Sequence, residues 1–505
     1  MTSPKDGGSI PPTSTQSNLD ANLDATGSFD TTKPETSRHR LGRLTVAPCR
    51  ADAPSVDKPR YAYVQNASGL NVSYLTLGRG SQDIVWMPNF TGRMDAAWLN
   101  PILQRFLRRL ASIGRLLSFD TSGTGGSDPI PPDQLPTMEQ WMDDIRAVMD
   151  AEGSERATLF AMDSAGALAM VFAATHPDRV QRLVLANSYA RLASDHDYPL
   201  GFPLEAQRAG VEWWLKRWGT GTQLELTAPS IAGDESYRDW MGFVERSSAP
   251  RRMWRAIFEM IGSIDVRHVL PAIRVPTLVI HRAGDRWIPA ALGRFVADSI
   301  AGARFVEVPG EDHYPWLGDT EPIFAEVRPF VTGPNVLAFD EDRALATLLF
   351  TDIVGSTARA AEIGDARWRD LLDRHDDGVR IALDRFRGRE IKTTGDGFLA
   401  SFDGPARAVR CALAIAAFAR DLGIEVRAGL HTGEVELRGD DIAGLSVALA
   451  SRVAALAGPG QVLTSQTVKD LTIGSGLGFD DRGMHTLKGV PGEWRVFEAS
   501  SSGTR

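Results

Sequence analysis

One stretch of the chain constrains its folding more than any other. A run of apolar residues from Leu348 reaches Asp352 and Ile353, and Gly355, Ser356 and Thr357 follow. This pattern predicts a buried strand that delivers a carboxylate to the point where a helix begins. The free N–H groups of a first helical turn attract phosphate, and a carboxylate beside them suits a divalent cation. We therefore expect a metal and phosphate site at this junction.

A second acidic turn strengthens this expectation. The segment from Lys392 to Gly397 places Asp396 between two glycines. Flanking runs at 390–393 and 398–402 read as the two strands of a β-hairpin with Asp396 at its tip. Asp352 and Asp396 are then two carboxylates at strand ends, which is an arrangement suited to Mg²⁺ or Mn²⁺.

Length and composition limit the other possibilities. A chain of 505 residues is too long for one core, so we expect two or three domains. The net charge of −9 argues against nucleic acid as a partner. With only two cysteines, Cys49 and Cys411, no disulfide framework is expected, which fits a cytoplasmic protein. No apolar run approaches the roughly 20 residues of a membrane span, so no membrane partner is expected.

Changes in pattern along the chain predict its organisation. Strands alternating with helices in the first half predict a doubly wound, mostly parallel sheet, and a tryptophan-rich helical insertion predicts a cap. Strands, hairpins and helices are mixed in the second half, which predicts an α+β domain; one of these hairpins is expected at 426–437, turning at Thr432 and Gly433. The expected segments are a disordered tail 1–58, a first domain 59–331 with its cap at about 189–273, a linker 332–343, a second domain 344–498 and a tail 499–505.

Motifs in the first domain resemble the α/β-hydrolase family. They are Phe119-Asp120 with Gly123 and Gly125 after it, the strand and turn from Leu159 to Gly166, the segment from Ala174 to Val180, Gly284-Asp285, and Asp312-His313. The resemblance implies a nucleophile, an acid and a histidine in that chain order. The matching residues are Asp163, Asp285 and His313, with oxyanion N–H groups from Ser164 and from around Phe90.

The turn at Asp163 departs from the family pattern, because alanines replace both flanking glycines and Asp163 holds the nucleophile position. A carboxylate nucleophile forms an ester that a His-activated water hydrolyses. The haloalkane dehalogenase and epoxide hydrolase branches resemble this, but they usually carry Trp where Ser164 stands. Three interpretations remain open: a hydrolase that uses Asp163, one that uses Ser164, and a non-hydrolytic sensor or scaffold that binds a small apolar ligand among the cap tryptophans.

The second domain resembles the class III adenylate/guanylate cyclase catalytic domain. The resemblance rests on the motifs at 350–357, 392–397, 429–434 and 441–452. It implies two Mg²⁺ or Mn²⁺ ions per site, held by Asp352, Asp396 and the Ile353 carbonyl. The N–H groups at Gly355, Ser356 and Thr357 would then contact the phosphates.

Further residues acquire roles from the same resemblance. Lys392 and Asp441 match the pair that reads the base, and a donor for adenine N1 beside an acceptor for its amino group favours ATP over GTP. Arg452 matches the arginine that neutralises charge in the transition state. Lys488 is expected to be a further cation facing the phosphates. Ala448 stands where the family commonly has an asparagine that orients the ribose. Losing that hydrogen bond costs about 1–3 kcal/mol in the transition state, or roughly ten- to a hundredfold in rate.

In this family, the metal ligands of one chain meet the base-reading and arginine residues of another, which implies a head-to-tail homodimer. The sequence therefore predicts a cytoplasmic adenylate cyclase that makes 3′,5′-cyclic AMP and pyrophosphate, with the hydrolase-like domain as sensor or scaffold. One alternative is a hydrolase that uses Asp163 and carries a regulatory or weakly active cyclase domain. Another is a ligand-binding signalling protein that is inactive in both domains.

Overall fold

The structure is a computed structural model that describes residues 58–90, 92–334, 343–393, 395–438 and 441–501. Within these residues, two eight-stranded sheets organise the chain, one before and one after 335–342. We call residues 58–334 the first domain and 343–501 the second domain. The expected tail at 1–57 and linker residues 335–342 lie outside the described residues.

The first domain contains a mostly parallel sheet. Its strand order is β1-β2-β4-β3-β5-β6-β7-β8, with β1 and β2 antiparallel at one edge and parallel pairing from β4 to β8. All six residues of β5 are buried, as expected for a strand with helices on both faces. The strands are β1 (Arg60–Gln65), β2 (Asn71–Leu77), β3 (Asp83–Met87), β4 (Arg115–Phe119), β5 (Ala157–Met162), β6 (Val180–Ala186), β7 (Thr277–Arg282) and β8 (Arg304–Val308).

Helices cover both faces of this sheet and form the cap. A capping box between Thr137 and Gln140 defines the start of α3. The helices are α1 (Met94–Ala97), α2 (Pro101–Ala111), α3 (Met138–Ala151), α4 (Ala165–Thr175), α5 (Leu204–Arg217), α6 (Leu224–Thr227), α7 (Glu235–Ser248), α8 (Arg251–Ser263), α9 (Ala290–Ser299) and α10 (Glu321–Thr332). Helices α5 to α8 lie between β6 and β7 and form the cap, which confirms the predicted fold class.

The second domain has a mixed sheet with the path β10-β11-β9-β12-β14-β16-β15, and β13 pairs with β12. Its strands are β9 (Arg343–Ile353), β10 (Arg389–Thr393), β11 (Phe398–Phe402), β12 (Val426–Arg438), β13 (Asp441–Ala443), β14 (Val462–Ser465), β15 (Gly478–Thr486) and β16 (Glu493–Ser500). Its helices are α11 (Ser356–Ile363), α12 (Asp365–Arg385), α13 (Pro405–Asp421), α14 (Leu445–Leu456) and α15 (Gln466–Leu471). Among the described residues, no helix is both long and apolar enough to cross a membrane.

The predicted hairpin turn at Thr432 and Gly433 is wrong. β12 continues through both residues and pairs with β9 from Val426 to Glu436. Gly433 marks close packing rather than a turn, because a Cβ there would lie 2.4 Å from the Ser446 Oγ at the start of α14. The chain reverses later, where β13 pairs back on β12. At the other end, β16 reaches Ser500, so its last residues are strand and not the expected tail.

A buried ionic cluster joins the two domains. The Asp143 carboxylate on α3 is 1% exposed and accepts hydrogen bonds from Arg387 and from Arg407 on α13. The neighbouring Glu139 Oε2 accepts from the backbone N–H groups of Ala406 at 3.1 Å and Arg407 at 3.4 Å. Burial raises the pKa of Glu139 to about 7. A carboxylate of the first domain therefore caps a helix of the second.

An apolar contact reinforces this ionic cluster. Leu345 on β9 and Leu471 on α15 belong to the same buried cluster as the core residues of α3 and α4. Val171 and Thr175 of α4 lie beside Leu345, so α4 packs directly against the first residues of β9. The two domains thus share a core, and separating them would expose apolar surface.

We predict that Asp143→Ala destabilises the protein by about 3 kcal/mol, because several arginines lose a buried partner. The cost lies at the low end for a buried pair because these arginines still reach water. Calorimetric unfolding should show one transition for the wild-type chain and two, at lower temperature, for the variant. Glu362→Ala, which breaks the exposed Arg359–Glu362 pair, is the control and should cost less than about 1 kcal/mol. Separate transitions in the wild-type chain would contradict the shared core.

Candidate active sites

Asp163 occupies a strained turn between β5 and α4. Its φ of 49° lies in the left-handed region, which non-glycine residues rarely adopt outside functional sites. The Ser188 hydroxyl donates to the Asp163 carbonyl at 2.7 Å, which holds the turn in place. Gly166 is also required here, since a Cβ would lie 1.6 Å from the Ser188 Oγ. The replacement of both flanking glycines by alanine therefore leaves the turn geometry intact.

The structure brings the three predicted hydrolase residues together. His313 Nδ1 lies 2.8 Å from Asp285 Oδ2, and His313 Nε2 lies 3.6 Å from Asp163 Oδ2. The other Asp285 oxygen accepts from the backbone N–H groups of Trp287 at 2.8 Å and Ile288 at 3.0 Å. Asp285 thus holds the ring of His313, and the far side of the ring faces Asp163.

The charge on His313 decides what these residues can do. Burial lowers its pKa, but the carboxylates of Asp285 and Asp163 raise it more, to about 10. Burial also acts to raise the pKa of Asp285, yet the contact with His313 lowers it overall. His313 is therefore an imidazolium at neutral pH while Asp163 is a free carboxylate, and His313 can act as a base only when Asp163 has lost its charge, for example as an ester.

These residues line a cavity with aromatic walls under the cap. The cavity offers about 90 Å³ to the centres of water-sized molecules, and Asp163, Ser164 and His313 lie along it. Among the described residues, seven tryptophans line it, namely Trp86, Trp214, Trp218, Trp240, Trp254, Trp287 and Trp316. The Phe90 ring packs on Trp141 with centroids 4.6 Å apart. The oxyanion role of the N–H groups near Phe90 and at Ser164 stays a prediction.

In the second domain, the predicted metal carboxylates lie at one end of neighbouring strands. β11 pairs with β9 with Phe398 opposite Thr351, so the turn that carries Asp396 lies beside Asp352 and Ile353. Two carboxylates and a backbone carbonyl are oxygen donors of the kind that Mg²⁺ and Mn²⁺ take, with water and phosphate oxygens completing the shell. Within the described residues, no three His, Cys, Asp or Glu side chains gather as a metal site. The metal role of Asp352, Asp396 and the Ile353 carbonyl stays a prediction.

Sequence reasoning missed Arg427. This residue lies opposite Asp352 in the β9–β12 register, and its Nε and Nη2 are 2.8 and 2.5 Å from Asp352 Oδ2. The signal was its position just before the 429–434 motif, on a strand that runs beside the metal ligand. Both guanidinium nitrogens bond the same oxygen, Oδ2, of Asp352.

The turn predicted to bind phosphate leads from β9 into α11, as expected. Gly355 adopts φ 69° as the residue preceding α11, and Ser356 and Thr357 form the first turn of that helix. The left-handed conformation explains why a glycine stands at this position. The N–H groups of the first turn lack partners within the helix, so the loop presents donors next to Asp352.

The predicted base-reading residues contact each other across the surface of one chain. Lys392 Nζ lies 2.8 and 2.9 Å from the two Asp441 oxygens. The Lys392 hydrogen bond lowers the pKa of Asp441, which keeps the carboxylate ionised. The Lys392 ammonium and the Asp441 carboxylate thus satisfy each other's hydrogen-bonding groups within one chain.

Arg452 lies on the exposed face of α14, where Ala448 is one turn earlier. Its Nε donates to the Lys488 carbonyl at 3.0 Å, so the structure brings these two predicted residues together. Within the described part of the chain, no hydrogen bond or ion pair joins Arg452 to Asp352 or Asp396. One chain by itself therefore leaves the arginine and the metal ligands unconnected.

We predict that His313 remains protonated through neutral pH. Because its pKa is raised from 6.5 to about 10, its ion pairing stabilises the fold fully below about pH 6.5, and this contribution is lost as pH rises towards 10. Histidine-selective NMR titration, with His313→Gln for assignment, should find no titration of His313 near 6.5. Asp285→Asn should bring its pKa down. A wild-type His313 signal that titrates near its usual value would contradict the ion-pair geometry.

Comparison with known proteins identifies both domains. The family model of the alpha/beta hydrolase fold matches residues 96–222, and that of the adenylate and guanylate cyclase catalytic domain matches residues 340–498.

Relatives support the same division. Pimeloyl-[acyl-carrier protein] methyl ester esterase of Neisseria meningitidis serogroup A is 31% identical over 215 residues, 41% of this chain and 67% of that protein. The karrikin insensitive 2 receptor CA of Petunia hybrida is 25% identical over 260 residues, 48% of this chain and 90% of that protein. Putative adenylate cyclase 3 of Rhizobium meliloti is 33% identical over 165 residues, 29% of this chain and 27% of that protein. The chain is therefore a member of the alpha/beta hydrolase family that carries a class III adenylate/guanylate cyclase catalytic domain after its hydrolase domain.

Proposed function

We propose that this protein is an adenylate cyclase that converts ATP to 3′,5′-cyclic AMP and pyrophosphate. The observation that carries the proposal is the contact between Lys392 and Asp441, at 2.8 and 2.9 Å. Adenine presents an acceptor at N1 and donors on its amino group, which match an ammonium donor and a carboxylate acceptor. Guanine presents the opposite polarity. The Rhizobium relative named as a putative adenylate cyclase supports the same substrate.

Catalysis rests on the residues around the end of β9. Asp352, Asp396 and the Ile353 carbonyl would hold two Mg²⁺ or Mn²⁺ ions, which promote loss of the ribose 3′-OH proton and neutralise the triphosphate. The N–H groups at Gly355 to Thr357 bind phosphate oxygens, and Lys392 with Asp441 orients the base. Arg452 neutralises the charge that develops on the reacting phosphoryl group, and Lys488 adds a further cation.

The working unit is a head-to-tail homodimer with two shared sites. Within the described residues, Arg452 has no bond to the metal carboxylates of its own chain, which supports its action on a partner's site. Exposed apolar side chains on the second domain also support a partner surface, among them Leu445 at 54% and Met484 at 55% exposure. In such a dimer, the metal ligands of each chain lie beside the base-reading and arginine residues of the other chain, which gives two complete sites.

The first domain acts as a sensor for this cyclase, and the protein works in the cytoplasm, where ATP is available. Helix α4 follows the Asp163 turn and packs on β9, whose last two residues are Asp352 and Ile353. A change at the cavity can therefore act on the metal ligands through two elements in contact, α4 and β9. The Petunia relative, named as a receptor, supports a binding role. The alternative hydrolase would need an ester at Asp163 to remove that charge before His313, an imidazolium in the resting state, could act as a base.

The experiment that tests the cyclase is product formation by the purified chain with ATP or GTP, each with Mg²⁺ and with Mn²⁺. We expect cyclic AMP from ATP, and loss of activity in Asp396→Ala and in Arg452→Ala. Mixing these two inactive variants should restore about a quarter of the wild-type activity, because half of the dimers are mixed and each mixed dimer holds one intact site. No recovery on mixing would contradict the shared site, and full activity of Asp396→Ala would contradict the cyclase.

A separate prediction concerns Ala448. We expect Ala448→Asn to raise kcat by roughly ten- to a hundredfold, since it restores a ribose hydrogen bond worth about 1–3 kcal/mol in the transition state. Ala448→Leu is the matched control, because it adds similar bulk without a hydrogen-bonding group and should not raise the rate. Steady-state kinetics with ATP provides the measurement. An equal effect of both substitutions would show that the ribose hydrogen bond is not what the chain lacks.

A further inference from the structure

The cavity of the first domain combines aromatic walls with an acidic floor. Its tryptophans come from the cap, from the strands and from the loops after β7 and β8, so the aromatic lining surrounds the space on several sides. Tryptophan faces carry negative potential and attract cations. At the floor, the Asp163 side chain is 18% exposed, whereas those of His313 and Asp285 are 1% and 0% exposed. Asp163 is therefore the charged group of this trio that a ligand meets.

The formal charges at the floor do not cancel. Two carboxylates, Asp163 and Asp285, face one imidazolium, His313. The imidazolium lies closer to Asp285, at 2.8 Å, than to Asp163, at 3.6 Å. Asp285 receives two backbone N–H groups as well. The trio therefore carries one net negative charge, and that charge resides mainly at Asp163.

The other charged groups along the cavity already have partners. Glu245 accepts from the backbone N–H groups of Gly219 at 2.8 Å and Gly221 at 3.1 Å. Arg93 forms a two-pronged ion pair with Asp95, at 2.6 and 3.0 Å. Neither group compensates the charge of Asp163, so a neutral apolar ligand would shield that carboxylate from water and leave it only the longer contact with His313 and the Tyr189 hydroxyl.

We propose that the cavity binds a small organic cation, an ammonium group with alkyl substituents, which lies over tryptophan faces and against Asp163. This inference replaces the neutral apolar ligand expected from the sequence. It deepens the sensor role proposed above and rests on it for its biological meaning. The cavity volume, about 90 Å³, is well above the roughly 10–15 Å³ that a single water needs, so the cavity has room for a small organic molecule such as choline.

The test compares two probes of the same shape on the full-length wild-type chain. Choline carries the cation, and 3,3-dimethylbutan-1-ol is its neutral carbon analogue. Quenching of tryptophan fluorescence and titration calorimetry should both give at least about tenfold tighter binding for choline. Equal affinities for the two probes, or no binding of either, would overturn the proposal.

Variants of Asp163 attribute the preference to this carboxylate. Asp163→Asn removes the charge while asparagine tolerates the left-handed turn, so the chain folds and the preference should fall to about one. Asp163→Glu should retain a preference for choline. Asp133→Asn, at an exposed aspartate that does not line the cavity, is the matched control and should behave as wild type. A preference for choline that survives in Asp163→Asn would contradict the proposal.

The assay contains no ATP and measures no turnover, so the two proposals fail separately. Choline binding without cyclase activity would overturn the proposed function and leave the cation site standing. Cyclase activity without a preference for choline would overturn the cation site alone.

Discussion

The packing of β9 against the first domain is the constraint on which the rest of the structure depends. Leu345 near its start is buried in the core that α3 and α4 build, and Asp352 near its end is a proposed metal ligand of the cyclase domain. A strand is a stiff element, so a shift at one end moves the other. The ionic contacts of Asp143 and Glu139 with α13 hold the same arrangement from a second side. Moving one domain relative to the other would expose apolar surface and leave buried charges unpaired.

Charge pairing also determines what each site can do before a ligand arrives. In the second domain, Arg427 holds Asp352, and Lys392 holds Asp441. These pairs hold the two acidic side chains in place within one chain. In the first domain, His313 is held between two carboxylates and has its pKa raised. The same geometry keeps His313 protonated in the resting trio, and it leaves a net negative charge at Asp163.

Much of the fold followed from local pattern. Alternating strands and helices predicted the doubly wound sheet, and the glycines around Asp396 predicted the β10–β11 hairpin, because these signals act over a few residues. The error at Gly433 has the opposite cause. A glycine signals either a turn or a close approach of another element, and only the packing of Ser446 against this position distinguishes the two. Arg427 was missed for a similar reason, since its partner Asp352 lies on another strand.

The sequence by itself determined which residues are candidates for the two sites: the order Asp163, Asp285 and His313, and the set of Asp352, Asp396, Lys392, Asp441 and Arg452. Residue types at fixed spacings carry that information, since the chemistry needs those groups. Only the tertiary structure decided the state of these groups. The charge of His313, the guanidinium at Asp352 and the core shared by the two domains depend on distances between residues far apart in the chain. Electrostatic energy and burial follow those distances and not the order of residues.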